Sequence, residues 1–150
     1  MRITIITVCY NRKATIGKAI KSVLKQNYHD VEYIIIDGNS TDGTKEIIES
    51  YGDRISQYIS EPDKGMYDAI NKGVKLATGD VIGLMHSDDE FYDENAIRRI
   101  AARFEYEPNL DGVYGDGVYV SNDKEERLIR DRIGGIFSLK KVKSGWLPLH

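Results

Sequence analysis

Residues 79–91 of the chain read Gly79-Asp80-Val81-Ile82-Gly83-Leu84-Met85-His86-Ser87-Asp88-Asp89-Glu90-Phe91. The almost continuously apolar run at residues 81–85 is typical of a parallel strand that is buried on both faces. Asp88 and Asp89 follow directly after the carboxyl end of this predicted strand. Ligands of open α/β sheets bind at that edge, so adjacent carboxylates there predict a site for a hard cation and the phosphates that it carries. A turn that caps a helix starting near Asn95 explains these residues equally well.

The rest of the chain alternates between two kinds of apolar pattern. Runs rich in β-branched residues predict strands, and apolar residues spaced three and four apart predict helices. The predicted strands cover residues 3–8, 31–36, 55–60, 81–85, 113–120 and 127–133, and the predicted helices cover residues 16–26, 47–51, 67–78 and 97–104. Strands that alternate with helices predict an α/β fold with a mostly parallel central sheet flanked by helices.

Polar clusters follow each of the first four predicted strands. They cover residues 7–12, 37–44, 61–65 and 87–89. In a right-handed α/β sheet the carboxyl ends of parallel strands meet at one edge, so we expect all four clusters to lie together. This convergence favours a functional site over a set of unrelated turns.

Composition limits the class of protein and its partners. The chain has 150 residues, of which 41% are hydrophobic and 30% charged, as in a single globular domain. The formal net charge of −3 leaves no basic footprint for nucleic acid. The single cysteine excludes an intramolecular disulfide, and no apolar run reaches membrane-spanning length.

The sequence lacks the motifs of several common classes of α/β protein. The turn after the first strand has no glycine, so it lacks the G-x-G-x-x-G pattern of a dinucleotide site, and no P-loop pattern occurs. One cysteine and three scattered histidines argue against a zinc site. No G-x-S-x-G elbow supports a serine hydrolase. Adjacent acids with Lys and Arg in nearby loops fit the binding of a diphosphate best.

Four motifs resemble those of family 2 glycosyltransferases with the GT-A fold, and the closest similarity is to the bacterial O-antigen and capsular polysaccharide type. The resemblance spans residues 3–119. The motifs read TVCYNR at residues 7–12, IDGNSTDGT at residues 36–44, DKGMYDAINKG at residues 63–73 and SDD at residues 87–89. The implied fold is a Rossmann-like nucleotide-diphospho-sugar transferase domain.

The resemblance also implies a set of site residues. Asp89, together with Asp88, would hold Mn²⁺ or Mg²⁺ against the diphosphate. Core packing of Tyr10 is nearly as good an explanation as stacking on a base. The residues implied in nucleotide binding are Thr7, Tyr10, Arg12, Asp37, Ser40, Lys64, Asp68 and Asp88, with Asp37 and Ser40 approaching the base and ribose and Asp88 facing the ribose.

The function that the resemblance implies is inverting, metal-assisted transfer of a sugar from a nucleoside-diphosphate donor, with UDP favoured, to a lipid-linked or saccharide acceptor. The expected setting is bacterial surface polysaccharide synthesis in the cytoplasm, at the inner face of the membrane. Two alternatives stay open at this point. One is a non-catalytic nucleotide-sugar-binding fragment, and the other is a metal-dependent nucleotidyltransferase.

Two departures from the family pattern affect these expectations. Many members carry two acids where this chain has Asp37 and Gly38, which leaves the choice among UDP, GDP and dTDP open. The family's general base lies in the acceptor half, so we expect it beyond His150 in a chain truncated after the donor-binding half. Within one domain, residues 1–120 would form the donor-binding core and residues 121–150 the start of the acceptor half. Asp116 fits a turn better than the acceptor site.

Overall fold

The structure, a computed structural model, describes residues 1–121, 128–132 and 143. The chain divides into two compact units, Met1–Tyr106 and Glu107–His150. The expected boundary after residue 120 stays a prediction, and most of the expected acceptor half lies outside the described residues.

Strands and helices alternate through the first unit, as the apolar patterns predict. The helices begin and end within a few residues of their predicted bounds, and a short 3-10 turn at Gly52–Arg54 precedes the third strand. The elements are β1 (Ile3–Cys9), α1 (Ile16–Leu24), β2 (Val31–Asp37), α2 (Thr44–Glu49), β3 (Gln57–Ser60), α3 (Met66–Leu76), β4 (Val81–Leu84) and α4 (Ala96–Tyr106).

The four strands of this unit form one parallel sheet in the order β3-β2-β1-β4. Ile3 of β1 is paired with Val31 of β2 and with Val81 of β4, while Cys9 at the other end is paired with Asp37. The carboxyl ends of all four strands therefore lie along the same edge. This confirms the predicted α/β architecture with a parallel central sheet flanked by helices.

The core lies on both faces of β1 and β2. On one face the buried side chains of β1 and β2 pack with those of α1, including Ile16 and Ile20, which are fully buried. On the other face Ile6, Ile34 and Ile36 pack with Ala69 of α3. Each large aliphatic side chain buried in this way contributes about 1.5–3 kcal/mol. The two central strands are thereby held in a register that sets the loops at their ends.

The environment of β4 differs from the sequence prediction. The run at residues 81–85 was expected to be a strand buried on both faces, but Ile82 is 41% exposed and Leu84 is 39% exposed. Within the described residues only β1 is paired with β4, so β4 is an edge strand of this sheet. An apolar composition therefore predicted the strand correctly and its complete burial incorrectly.

The second unit contains an antiparallel pair formed by β5 (Gly117–Val120) and β6 (Leu128–Arg132). The strand predicted from residue 113 begins only at Gly117. Among the helices that the structure describes, none has both the length and the apolar character needed to cross a membrane.

Candidate functional site

Hydrogen bonds join the loop after β1 to the loop after β2 at the carboxyl edge of the sheet. Side chains of the loop after β2 accept these hydrogen bonds from backbone N–H groups of the loop after β1. In the loop after β1, the N–H of Asn11 donates to Ser40 Oγ at 2.8 Å, and the N–H of Arg12 donates to Thr44 Oγ1 at 2.8 Å. The N–H of Lys13 donates to Asp42 Oδ2 at 3.0 Å. Three consecutive N–H groups are therefore used within the protein. The loop can offer a ligand its side chains, but not a row of free amides as a phosphate-binding nest does.

Asn11 also stabilises this pair of loops in the opposite direction. Its side-chain oxygen accepts a hydrogen bond from the N–H of Thr41 at 2.9 Å. Asn11 has a φ of 53°, and Asn39 in the facing loop has a φ of 66°. Asparagine is among the few non-glycine residues that adopt this left-handed conformation readily. The Asn residues of both motifs are thus explained by backbone geometry.

Asp37, the last residue of β2, lies beneath these loops and is fully buried. One carboxylate oxygen accepts hydrogen bonds from the Ser40 hydroxyl and the Cys9 thiol. The other accepts from the Ser40 N–H at 2.9 Å and from Ser60 Oγ at 2.6 Å. The carboxylate therefore connects the carboxyl ends of β1, β2 and β3.

A cleft with a volume of about 800 Å³ lies above the joined loops. Arg12 and Lys13 contribute its positive charge, and neither forms an ion pair with a residue that the structure describes. Helix α1 begins directly after this loop, and the N-terminus of a helix favours negative ligands. The residues that line the cleft are Asn11, Arg12, Lys13, Ala14, Thr15, Asp42 and Asp88.

Of the two carboxylates that line the cleft, Asp42 is engaged within its own loop. The Thr44 hydroxyl, which donates to Asp42 Oδ1, is the main cause of a lowered pKa for this carboxyl, and the N–H groups of Lys13 and Thr44 add to it. Asp42 is therefore ionised at neutral pH, and both of its oxygens already accept hydrogen bonds. Its part is to hold the two loops together.

Asp88 and Asp89 follow β4 in an exposed turn, in which the N–H of Asp89 donates to the carbonyl oxygen of His86 at 3.1 Å. Asp88 lines the cleft. In residues 1–121, 128–132 and 143, no group of three or more His, Cys, Asp or Glu side chains is placed to hold a metal ion. Mg²⁺ is commonly bound by one or two carboxylates, with substrate phosphates and water completing its coordination. The pair fits an ion that binds together with a diphosphate, not one held by the protein alone.

The loop after β3 brings further polar groups to the same edge. The N–H of Lys64 donates to Asp68 Oδ2 at 3.1 Å, and the N–H of Gly65 donates to Asp63 Oδ1 at 2.8 Å. Lys72 on α3 lies 3.7 Å from Asp68, one helical turn away. Asp68 is therefore engaged within its own loop and helix, while the Lys64 side chain is exposed.

The structure places the predicted site residues in two layers. Arg12 and Asp88 line the cleft. Tyr10 directly precedes the first residue of the cleft lining in sequence, and its side chain is 59% exposed. Thr7 is fully buried, and its hydroxyl lies 3.1 Å from that of Tyr33.

Asp37 and Ser40 are likewise buried, which differs from the expectation that they approach the base and ribose. A motif identifies the residue types of a site, but it does not show which of them face outward. Lys13 and Asp42 line the cleft but were not among the predicted contacts. The only sequence signal for Lys13 was its place directly after Arg12.

An open parallel α/β sheet with a basic and acidic cleft at its carboxyl edge is typical of nucleotide-binding proteins. The family model of Glycosyl transferase family 2 matches residues 4–148. The chain therefore belongs to glycosyltransferase family 2, as the four motifs predicted.

Named relatives are similar over nearly the whole chain. A PGL/p-HBAD biosynthesis glycosyltransferase of Mycobacterium bovis is 33% identical over 143 residues, which are 93% of this chain and 53% of the relative. An uncharacterized glycosyltransferase of Mycobacterium tuberculosis is 30% identical over 147 residues, which are 95% of this chain and 53% of the relative. The chain thus spans about half the length of these curated relatives.

Solved structures share the fold at lower sequence identity. Residues 1–349 of S. aureus TarS, in complex with UDP-GlcNAc, match with a TM-score of 0.67 and 23% identity over 75% of this chain and 37% of that one. A mannosyltransferase from Pyrobaculum calidifontis, in complex with GDP-Man and Mn²⁺, matches with a TM-score of 0.64 and 20% identity over 77% of this chain and 34% of that one. The predicted GT-A fold is confirmed.

Proposed function

We propose that this chain is the donor-binding part of an inverting glycosyltransferase that transfers a sugar from a nucleoside-diphosphate donor to an acceptor hydroxyl. The observation that carries the proposal is the cleft, in which Arg12 and Lys13 have no ion-pair partner among the described residues and share the lining with Asp88. A diphosphate carries the negative charge that these two cations would neutralise. The names of the relatives and the UDP-GlcNAc complex of TarS support the same class of donor.

Asp88 and Asp89 would hold Mn²⁺ or Mg²⁺ together with the diphosphate. A bound divalent ion stabilises the charge that develops on a leaving diphosphate. Arg12 and Lys13 would orient the diphosphate from the loop after β1, while Lys64 would approach it from the loop after β3. Hydrogen bonds from the backbone N–H groups of this loop hold the segment from which both cations extend before the donor binds.

The acceptor hydroxyl would attack the anomeric carbon on the side opposite the leaving diphosphate, and a carboxylate would accept its proton. We assign that general base to no described residue. A lipid-linked or saccharide acceptor, a part in bacterial surface polysaccharide synthesis and a place in the cytoplasm at the inner face of the membrane stay predictions.

A second candidate is a non-catalytic nucleotide-sugar-binding module. Neither carboxylate of the cleft is left to act as a general base, and this favours the second candidate. Asp42 is hydrogen-bonded through both oxygens, and Asp88 is assigned to the metal ion. No third carboxylate lines the described cleft to act as a base. General-base catalysis is worth about 10²- to 10⁴-fold in rate. Sustained sugar transfer by the 150-residue chain would exclude this second candidate.

Calorimetric titration of the chain with UDP, GDP and dTDP, each with and without Mn²⁺, tests the proposal. We expect metal-dependent binding of UDP, loss of the metal dependence in Asp89→Ala, and no change in Asp53→Ala. Asp53 is a matched control because it is an exposed acid in the 3-10 turn before the amino end of β3. Equal metal-dependent affinity in wild type and Asp89→Ala would remove Asp89 from its role. Binding of none of the three nucleotides would overturn the donor site.

A further inference from the structure

At the carboxyl edge of the sheet, the Asp63 carboxylate occupies space that a side chain at position 38 would need. A Cβ atom built on Gly38 would lie 2.6 Å from Asp63 Oδ2 and 3.3 Å from Asp63 Cγ. The φ of Gly38 is outside the left-handed region, so its backbone conformation does not call for glycine. The missing side chain of Gly38 leaves room for the Asp63 carboxylate in the position that it occupies.

The Asp63 carboxylate is fixed through one oxygen and open at the other. Oδ1 accepts the N–H of Gly65 at 2.8 Å, within the turn that precedes α3. No residue that the structure describes donates a hydrogen bond to Oδ2. Lys72 pairs instead with Glu61, at 2.8 Å. Asp63 is partly exposed, and because Oδ1 is held by the N–H of Gly65, Oδ2 is the oxygen that is available to a ligand.

Tyr10 lies beside this open acceptor. Its Cδ2 atom is 3.4 Å from the position of the same added Cβ, and the side chain is 59% exposed. An exposed ring next to an unpaired acceptor suits a flat heterocycle that stacks on the ring and donates an N–H in its own plane. Stacking on an aromatic side chain is a favourable contribution to the binding of a base.

We infer that Asp63 is a specificity-determining residue that accepts the N3–H of a pyrimidine dione, such as uracil, stacked on Tyr10. This inference rests on the proposed nucleotide-donor function. Uracil presents one ring N–H between two carbonyl groups, which matches the single free oxygen of Asp63. Guanine presents two adjacent donors, N1–H and the 2-amino group, and the second of these would share Oδ1 with the N–H of Gly65. Cytosine has an acceptor at N3 and would face the carboxylate with like polarity.

The test is a double-mutant cycle between protein and ligand, measured by calorimetry on the full chain with Mn²⁺. The ligands are UDP, N3-methyl-UDP and CDP, and the proteins are wild type, Asp63→Asn and the control Asp53→Asn. Asn at position 63 keeps an oxygen for the N–H of Gly65 and replaces the acceptor with an N–H donor. We expect UDP to bind Asp63→Asn roughly tenfold or more weakly, and CDP to bind it more tightly than wild type does. N3 methylation should weaken binding to wild type by a similar factor and have little effect on Asp63→Asn.

The outcomes separate the two proposals. If wild type binds none of the nucleoside diphosphates, the proposed function fails and the inference fails with it. If wild type binds UDP but Asp63→Asn binds UDP equally well, or discriminates against N3-methyl-UDP as strongly as wild type, the inference alone is refuted. A gain of CDP affinity in Asp63→Asn is a change that loss of fold or loss of loop rigidity would not produce.

Discussion

Replacement of Asp37 by alanine should destabilise the protein more than replacement of an exposed acid does. The substitution removes the acceptor for four donors, namely the N–H and hydroxyl of Ser40, the hydroxyl of Ser60 and the weakly donating thiol of Cys9. A buried donor left without a partner costs about 1–3 kcal/mol. The two hydroxyls can rotate toward neutral acceptors at a cost of roughly 1 kcal/mol each, and the N–H, which cannot rotate, adds the cost of an unpaired donor, so we expect a loss of about 3–5 kcal/mol in the free energy of unfolding.

Asp37→Asn provides the graded comparison. The amide oxygen can accept from the N–H of Ser40 and the hydroxyl of Ser60, and the amide nitrogen can donate to the hydroxyl oxygen of Ser40. The charge is lost, and the Ser40 hydroxyl and the Cys9 thiol must donate to other acceptors. A hydrogen bond to a charged acceptor exceeds a neutral one by roughly 1 kcal/mol. We therefore expect a loss of about 1–2 kcal/mol. The control Asp53→Ala should change stability by less than about 0.5 kcal/mol, as exposed substitutions usually do.

Urea unfolding followed by far-ultraviolet circular dichroism measures these differences. A constant slope against urea across the set would show that the unfolding transition is unchanged in character. Equal stability of Asp37→Ala and Asp53→Ala would refute the reasoning, because it would mean that the buried carboxylate is not needed by its donors. If Asp37→Asn lost as much free energy of unfolding as Asp37→Ala, the hydrogen bonds that the amide retains would contribute nothing. The effect would then come from the negative charge alone.

Two further perturbations concern the opposite edge of the sheet. In Gly79→Ala the new Cβ would lie 2.6 Å from Thr4 Oγ1 and 2.8 Å from the Thr4 backbone nitrogen, so we expect a loss of about 1–3 kcal/mol in urea unfolding. Gly112→Ala, which meets nothing within 4 Å, is the control, and equal stability of the two variants would count against the close approach. Burial alone would raise the pKa of Glu32, but hydrogen bonds from Thr4 and Thr78 outweigh it and hold the pKa below the ordinary value of 4.5. Because the pKa of Glu32 is depressed in the folded protein, the ionised carboxylate stabilises the fold above pH 4.5, and this stabilisation is lost as the pH falls through the folded pKa. Glu32→Gln should therefore be less stable than wild type at pH 7, and the difference in stability should shrink in acid. A stability difference that does not depend on pH would contradict this assignment.

The order and type of the elements in the first unit were predictable because their signals are local. The β-branched run of β1 and the apolar spacing of α1 each lie within one short segment, and the structure preserves both. The parallel arrangement followed from the alternation itself. The bounds were less predictable, and β3 begins at Gln57 rather than at Ile55.

The burial of individual polar residues was not predictable from the motifs. The strand ending at Asp37 and the loop at Ser40 were recognised from sequence, yet whether these side chains face a ligand or the interior depends on neighbouring strands. Burial of Asp37 depends on its position between Cys9 and Ser60 in the sheet register. The exposure of β4 has the same origin, because an apolar strand is covered only where other elements are packed against it.

The amino-acid sequence by itself determined the succession of strands and helices, the polar clusters at the strand ends and the family to which the chain belongs. All of these are properties of neighbouring residues in the chain. Only the tertiary structure decided that Ser40, Asp42 and Thr44 bind the loop of Asn11 across about thirty residues, and that Asp63 occupies the space left by Gly38. These pairs are remote in sequence, and they meet because the strands that carry them lie side by side in register.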